Sequence, residues 1–153
     1  MDFGYTAPAA ANGFLGDVAG GIRIGRWGLG AATGMDWAKA RSFPLLLDTR
    51  WRAVRGKHAL DVFTQEGRNF VSEKKDDDGD TWGKGWYWRG GLSVRLVEVK
   101  GFGGLYVSGS ARYRSYEEYV PRFWIDFPPD YAPSSGLIRH DDWAFVGSIG
   151  WRW

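Results

Sequence analysis

From Trp143 to Trp153 the chain alternates without a break. Trp143, Phe145, Gly147, Ile149, Trp151 and Trp153 fall on one side of a period-2 pattern, and Ala144, Val146, Ser148, Gly150 and Arg152 on the other. Successive side chains of a β-strand point to opposite faces, so the pattern describes a strand with one strongly apolar face. Chain ends usually fray, so a tryptophan at the end of such a strand leads to the expectation that it packs against apolar material.

The same alternation recurs upstream. Leu105, Val107, Gly109, Ala111 and Tyr113 oppose Tyr106, Ser108, Ser110, Arg112 and Arg114. Trp86, Trp88, Gly90, Leu92, Val94 and Leu96 oppose Tyr87, Arg89, Gly91, Ser93 and Arg95. Leu45, Leu47, Thr49, Trp51 and Ala53 oppose Leu46, Asp48, Arg50 and Arg52. Leu29, Ala31, Thr33, Met35 and Trp37 oppose Gly30, Ala32, Gly34 and Asp36, and Val18, Gly20, Ile22 and Ile24 oppose Asp17, Ala19, Gly21 and Arg23. Around Asp61 the pattern is noisier: Leu60 and Val62 lie opposite it, and Phe63 departs from the alternation. Phe3 and Tyr5 supply one further short strand. No stretch carries a 3.6-residue period with caps, so the chain reads as all-β.

The connections alternate in length. "GRWG", "VRGK" and "VKGFGG" suit tight hairpins, whereas "APAAANGF", "AKARSF", "NFVSEKKDDDGD" and the stretch from Tyr119 to His140 read as longer loops. The expected result is eight antiparallel up-and-down strands, with the short turns at one end and the long loops at the other. At 153 residues this is a single domain spanning 1–153.

An eight-stranded meander removes its exposed edges by closing into a barrel. Which face points inward decides the solvent. The polar face carries Asp17, Arg23, Asp36, Asp48, Arg50, Arg52, Asp61, Arg89, Arg95, Arg112, Arg114 and Arg152. Arg and Asp, rather than Lys and Glu, suit bidentate hydrogen bonding in a confined interior. Arg outnumbers Asp here, so the surplus guanidinium groups require Glu, Tyr or water. The apolar face bears aromatics near strand ends: Trp151 and Trp153 at the short-turn end, and Trp37, Trp86, Trp88 and Tyr113 toward the other. That distribution matches two interfacial girdles, and strands of about ten residues cross a bilayer when tilted. The opposite arrangement is a soluble, lipocalin-like barrel carrying a hydrophobic ligand. It would leave voids at Gly20, Gly90, Gly109 and Gly147 in a packed core, whereas acyl chains fill such gaps.

Trp153, Trp151, Ile149, Gly147 and Phe145 resemble the C-terminal assembly signal of bacterial outer-membrane β-barrels, with Trp in place of the usual terminal Phe. The whole chain resembles the eight-stranded class that includes the OmpA transmembrane domain and OmpX in strand number, loop asymmetry and charged lumen. The resemblance implies an outer-membrane location, short periplasmic turns and long extracellular loops. It implies contact with lipid and lipopolysaccharide, and folding by the barrel-assembly machinery. An N-terminal "MDFGYTAP" lacks the features of a signal peptide, so either the chain is not exported or it is a mature form with an added Met.

Candidate chemistry is sparse. There is no Cys, which excludes thiolate metal sites and Cys nucleophiles, and a net charge of +2 spread along the chain does not indicate nucleic acid. Some small barrels modify lipid A through a His and a Ser near the outer rim. His58 falls at the short-turn end; His140, with Asp141, Asp142, Ser134 and Ser135 nearby in sequence, falls at the outer end. A Ser134–His140–Asp141 set defines the enzymatic alternative. "KKDDDGD" fails the EF-hand pattern because Lys74 stands at the first ligand position, so no metal or other cofactor is expected. The aromatic, Pro-rich stretch from Tyr119 to Ile138 includes Phe123, Trp124, Phe127 and Tyr131, rigid groups suited to docking an extracellular protein or glycan. The expected protein is non-catalytic, with a lumen plugged by ion pairs, and acts through its outer loops.

Overall fold

The computed structural model describes residues 2–7, 13–37, 41–75, 79–100, 102–119 and 137–152. The strands are β1 (Asp2–Ala7), β2 (Gly13–Ile24), β3 (Trp27–Trp37), β4 (Arg41–Val54), β5 (Leu60–Lys75), β6 (Gly79–Val99), β7 (Gly103–Tyr119) and β8 (Leu137–Arg152). The chain is all-β, and each strand pairs antiparallel with the next, the up-and-down order that the alternation predicts. From β2 to β8 the ladders are long and continuous. The short β1 lies between the two ends of this sheet, with Phe3 opposite Gly16 of β2 and opposite Ile149 of β8. The sheet therefore curls on itself and encloses an interior.

At one end the hairpins are tight. Gly25 (φ 62°) and Gly56 (φ 115°) turn the chain in the left-handed region, where a Cβ is disfavoured. At the other end the loops are shorter than "AKARSF" and "NFVSEKKDDDGD" suggested. β3 runs to Trp37 and β4 starts at Arg41, while β5 runs to Lys75 and β6 starts at Gly79. Asn69 to Lys75 pair with Gly85 back to Gly79, so the supposed loop is mostly hairpin. A hairpin arm that continues beyond the apolar belt needs only its ladder, and its side chains lose the alternation that made the belt recognisable. Only residues 120–136 separate two described strands widely.

Pro44 sits inside β4, where a missing N–H would interrupt a ladder. The β3–β4 register is the same on both sides of it (Thr33 opposite Leu45, Asp36 opposite Ser42), and the Thr33 hydroxyl donates to the Pro44 carbonyl at 3.0 Å. Two bulges, between Arg52 and Val54 and between Arg95 and Val97, lie at the tight-turn end.

Side chains divide by face as the alternation requires. Ile22, Ile24, Trp27, Trp143 and Phe145 are 61% or more exposed, whereas Arg89, Arg112 and Arg114 are 2% or less. Among the described residues Ala32, Leu46 and Tyr87 form a buried cluster, with Ala19 packed against it. Phe63 corrects the sequence reading. It does not break the pattern but shares the inner face with Asp61 and Gln65, and is 4% exposed. The apparent irregularity came from treating a large apolar residue as necessarily outward.

Inward glycines let the strands curl. A Cβ on Gly67 would lie 2.1 Å from the Leu45 carbonyl oxygen, and one on Gly30 would lie 2.3 Å from that of Gly20. Strong curvature brings neighbouring backbones together on the concave side, where only glycine fits. On the outer face Gly20, Gly109 and Gly147 meet nothing within 4 Å, whereas Gly90 makes room for the ring of Trp88.

Candidate functional site: the charged interior

The inward positions form a stack of arginine-centred clusters. Nearest the tight turns, Asp61 receives three arginines: Arg52 at 2.8 Å from β4, Arg23 at 3.3 Å from β2 and Arg152 at 3.8 Å from β8. Arg52 also donates to the Tyr106 hydroxyl at 3.2 Å, and Arg152 lies 4.4 Å from the Tyr106 ring centroid and donates to Ser93 at 2.9 Å. Arg95 pairs with Glu98 at 2.8 Å and caps the Lys57 and Gly56 carbonyls of the turn.

In the middle, Arg50 donates to Asp48 at 2.6 Å, and Phe63 lies between two guanidinium groups, with Arg50 and Arg89 each 5.4 Å from its centroid. Arg89 reaches across the interior from β6 to Asp17 of β2 at 2.7 Å and donates to Ser110 (2.9 Å) and Ser148 (3.0 Å). Ser148 is in turn hydrogen-bonded to Ser108. A buried guanidinium is tolerated only where its donors are met, and here a carboxylate and two hydroxyls meet them.

Toward the far end, Arg112 bridges Asp36 and Asp142, the latter at 2.8 Å. Arg114 lies 3.3 Å from Asp142, 3.9 Å from Asp36 and 5.8 Å from the Tyr116 ring centroid. Of the twelve residues that the sequence places on the polar face, Asp17, Asp36, Asp48, Arg50, Asp61, Arg89, Arg112 and Arg114 are buried, Arg52 and Arg152 are half-buried, Arg23 is exposed, and Arg95 turns to the Gly56 and Lys57 carbonyls. Asp142, two positions from Ala144, shares the inner face and pairs with Arg112 and Arg114, although its place beside Asp141 in the sequence suggests a rim acid. Ser110, Ser148 and Tyr106 accept hydrogen bonds from arginines, which their place on the polar face does not by itself reveal.

Of the candidate catalytic set, His140 and Asp141 are described, and they face opposite sides of β8. His140 stacks on Tyr116, with ring centroids 4.9 Å apart, and is half-buried. Asp141 points the other way, where it accepts from the Tyr113 hydroxyl at 2.7 Å and from Arg139 at 3.3 Å. Adjacent strand residues face opposite sides, so sequence neighbours cannot form this dyad on β8. The Tyr113 and Arg139 hydrogen bonds hold the Asp141 carboxyl below its ordinary range. Asp142 serves Arg112 and Arg114. His58, in the turn before β5, lies 3.4 Å from the Arg95 carbonyl. Ser134, the docking residues Phe123, Trp124, Phe127 and Tyr131, and terminal Trp153 lie outside the described residues. Among the described residues no cluster of His and acidic groups is arranged to hold a metal ion.

On the outer face Phe145 and Ile149 are exposed, and Trp151 donates its indole N–H to the Phe102 carbonyl at 2.8 Å. Trp27 and Trp51 pair at 6.4 Å at the tight-turn end, while Trp143 contacts Tyr113 (4.9 Å) and Trp88 (6.3 Å) at the other. Comparison with protein-family models, curated proteins and solved structures gave no match.

Proposed function

We propose that this chain is an integral, eight-stranded bacterial outer-membrane β-barrel with a plugged lumen, a non-catalytic protein that acts through its outer loops. The observation that carries the reading is inverted amphipathicity: fully buried Arg89, Arg112, Arg114, Asp36 and Asp61 within, and exposed Val18, Ile22, Leu29, Leu45, Leu92, Phe145 and Ile149 without. Soluble monomers rarely expose contiguous apolar patches beyond a few hundred Å². Water around such a belt, with arginines desolvated inside, would be unfavourable on both counts; hydrocarbon around it removes the first cost. Interfacial girdles are supported by the Trp27–Trp51 pair at one end and the Trp88–Tyr113–Trp143 group at the other.

The plugged lumen is supported by the size of the groups that fill it, three arginines, a tyrosine and a phenylalanine across the middle and far layers. An eight-stranded barrel is just wide enough for its own side chains. The loop role rests on the aromatic stretch at 119–138, with lipopolysaccharide or an extracellular protein or glycan as the partner. Against a lipid A-modifying enzyme stands the separation of His140 and Asp141 on opposite faces of β8.

The test is reconstitution. The chain should require detergent, show β-rich circular dichroism and heat-modifiable gel mobility, and insert into vesicles with its tryptophans quenched by brominated acyl chains. A stable, detergent-free monomer would overturn the membrane reading. An acyl-chain change in lipid A that depends on His140 would overturn the non-catalytic one.

A further inference from the structure

Not every cation of this chain lies on the inner face. Arg41 of β4, Arg68 of β5 and Lys84 of β6 are exposed, and their strand neighbours Ser42 and Asn69 are buried. The ladders bring the three to one region of the outer face. Arg68 is opposite Leu45 on one side and Trp86 on the other, Phe70 is opposite Phe43 and Lys84, and Arg41 is opposite Ser72. Arg68 and Lys84 are therefore diagonal neighbours on adjacent strands, roughly 7–8 Å apart and within reach of long side chains. Arg41 shares the outer face of β4 with Trp51 and stands about ten residues from it, the length that a tilted strand needs to cross a bilayer. The group thus belongs to the end remote from the Trp27–Trp51 pair.

These cations lack a protein counterion. None of the three has an ion-pair or hydrogen-bond partner among the described residues, and the exposed acids Glu66 of β5 and Glu117 of β7 are joined to none of them. On the inner face of the same strands, by contrast, Arg50 meets Asp48 and Arg89 meets Asp17. Around the outward cations stand exposed Leu45, Leu47, Phe70 and Trp86. A cation set in an apolar surface is unfavourable unless an anion or water meets it. A partner that satisfies both the charges and the apolar surround is an amphiphile with an anionic head.

We propose that the outer face of β4–β6 is a docking site for an anionic, phosphate-bearing lipid. Its phosphate lies between Arg68 and Lys84 with Arg41 beside them, and an acyl chain runs along Leu45 and Leu47 toward the tight-turn end. The guanidinium fork of Arg68 matches two phosphate oxygens, and Lys84 adds a compact point charge. Free phosphate would meet the cations but gain nothing from the apolar residues, so the lipid is the occupant. The site rests on the membrane reading and deepens it, naming the class of lipid and the strands that hold it.

The test is native mass spectrometry of the full chain, folded in a non-ionic detergent and titrated with lipid A or with zwitterionic phosphatidylcholine. One saturable lipid A adduct is expected, at concentrations about ten-fold or more below those at which phosphatidylcholine binds. Arg68→Gln combined with Lys84→Gln should weaken that adduct about ten-fold or more, since each basic residue near an anionic lipid contributes a few-fold. Lys100→Gln removes an exposed charge at the tight-turn end and should leave it unchanged. All three substitutions alter exposed side chains, so heat-modifiable mobility should match the parent. Equal binding of the two lipids, an unchanged adduct in the double variant, an equal loss in Lys100→Gln, or displacement of lipid A by inorganic phosphate at equal concentration would each overturn the assignment. A chain that needs no detergent fails the membrane reading; a detergent-requiring barrel without this lipid preference fails the docking site alone.

Discussion

Asp36→Ala removes one carboxylate from the far-end cluster and should be among the most destabilising single changes in the chain. Asp36, Arg112 and Arg114 all have fully buried side chains, and Asp142 is nearly so. Asp36 bridges to Arg112 and lies 3.9 Å from Arg114. Two unit charges about 4 Å apart interact by roughly 4 kcal/mol at an effective dielectric constant of about 20. Without Asp36, both guanidinium groups compete for Asp142, at 2.8 and 3.3 Å, and excess positive charge stays out of water. Removing one partner of a buried pair typically costs about 3–5 kcal/mol, mostly the penalty of the charge left behind. The assay is urea unfolding of the vesicle-reconstituted protein, followed by tryptophan fluorescence and checked by the heat-modifiable band. The companion variant is Asp36→Ala with Arg112→Leu, which removes charges of both signs. If the penalty comes from the orphaned guanidinium, the double variant should be less destabilised than Asp36→Ala alone, and salt should change little because buried pairs are weakly screened. A loss below about 1 kcal/mol in the single variant, or a double variant worse than the sum of its singles, would refute the argument.

Three further outcomes follow from the same geometry. Leu92→Arg, at an exposed outer position, should cost about 2–4 kcal/mol in a bilayer, where the same change on a water-exposed surface would be nearly neutral; unfolding in vesicles measures it. Gly67→Ala should be destabilised by about 1–3 kcal/mol, because its Cβ would collide with the Leu45 carbonyl, while Gly147→Ala, with open space around it, should match the parent in the same assay. Asp141, with its folded-state value depressed chiefly by Tyr113, gives a contribution present above the ordinary carboxylate range, near pH 4, and lost as pH falls through the lower folded value; carboxyl-carbon NMR titration should show that depression, and Tyr113→Phe should reduce it.

How much of this was readable in the sequence follows from the range over which each feature is decided. Facing is local: a side chain's side of the sheet depends on its parity along one strand. Trp86 and Leu92 outward and Arg89 and Ser93 inward therefore follow from letters alone, and even Phe63 obeyed parity when its chemistry suggested otherwise. Strand ends were less readable. Asn69 to Lys75 carry polar residues on both sides, and only their ladder with Gly79 to Gly85 makes them strand. Partner choice was not readable at all. Arg89 meets Asp17 across 72 residues and Arg112 meets Asp36 across 76, neither pair on adjacent strands. These meetings depend on the register of several ladders in succession and on how tightly glycines such as Gly67 let the sheet curl. The same holds where glycines of the β2–β3 hairpin lie beside Arg50 of β4 and Arg152 of β8. Alternation by itself determined an all-β chain with a charged face and an apolar face; curvature and register, set by contacts between strands distant in sequence, decided which charges meet one another.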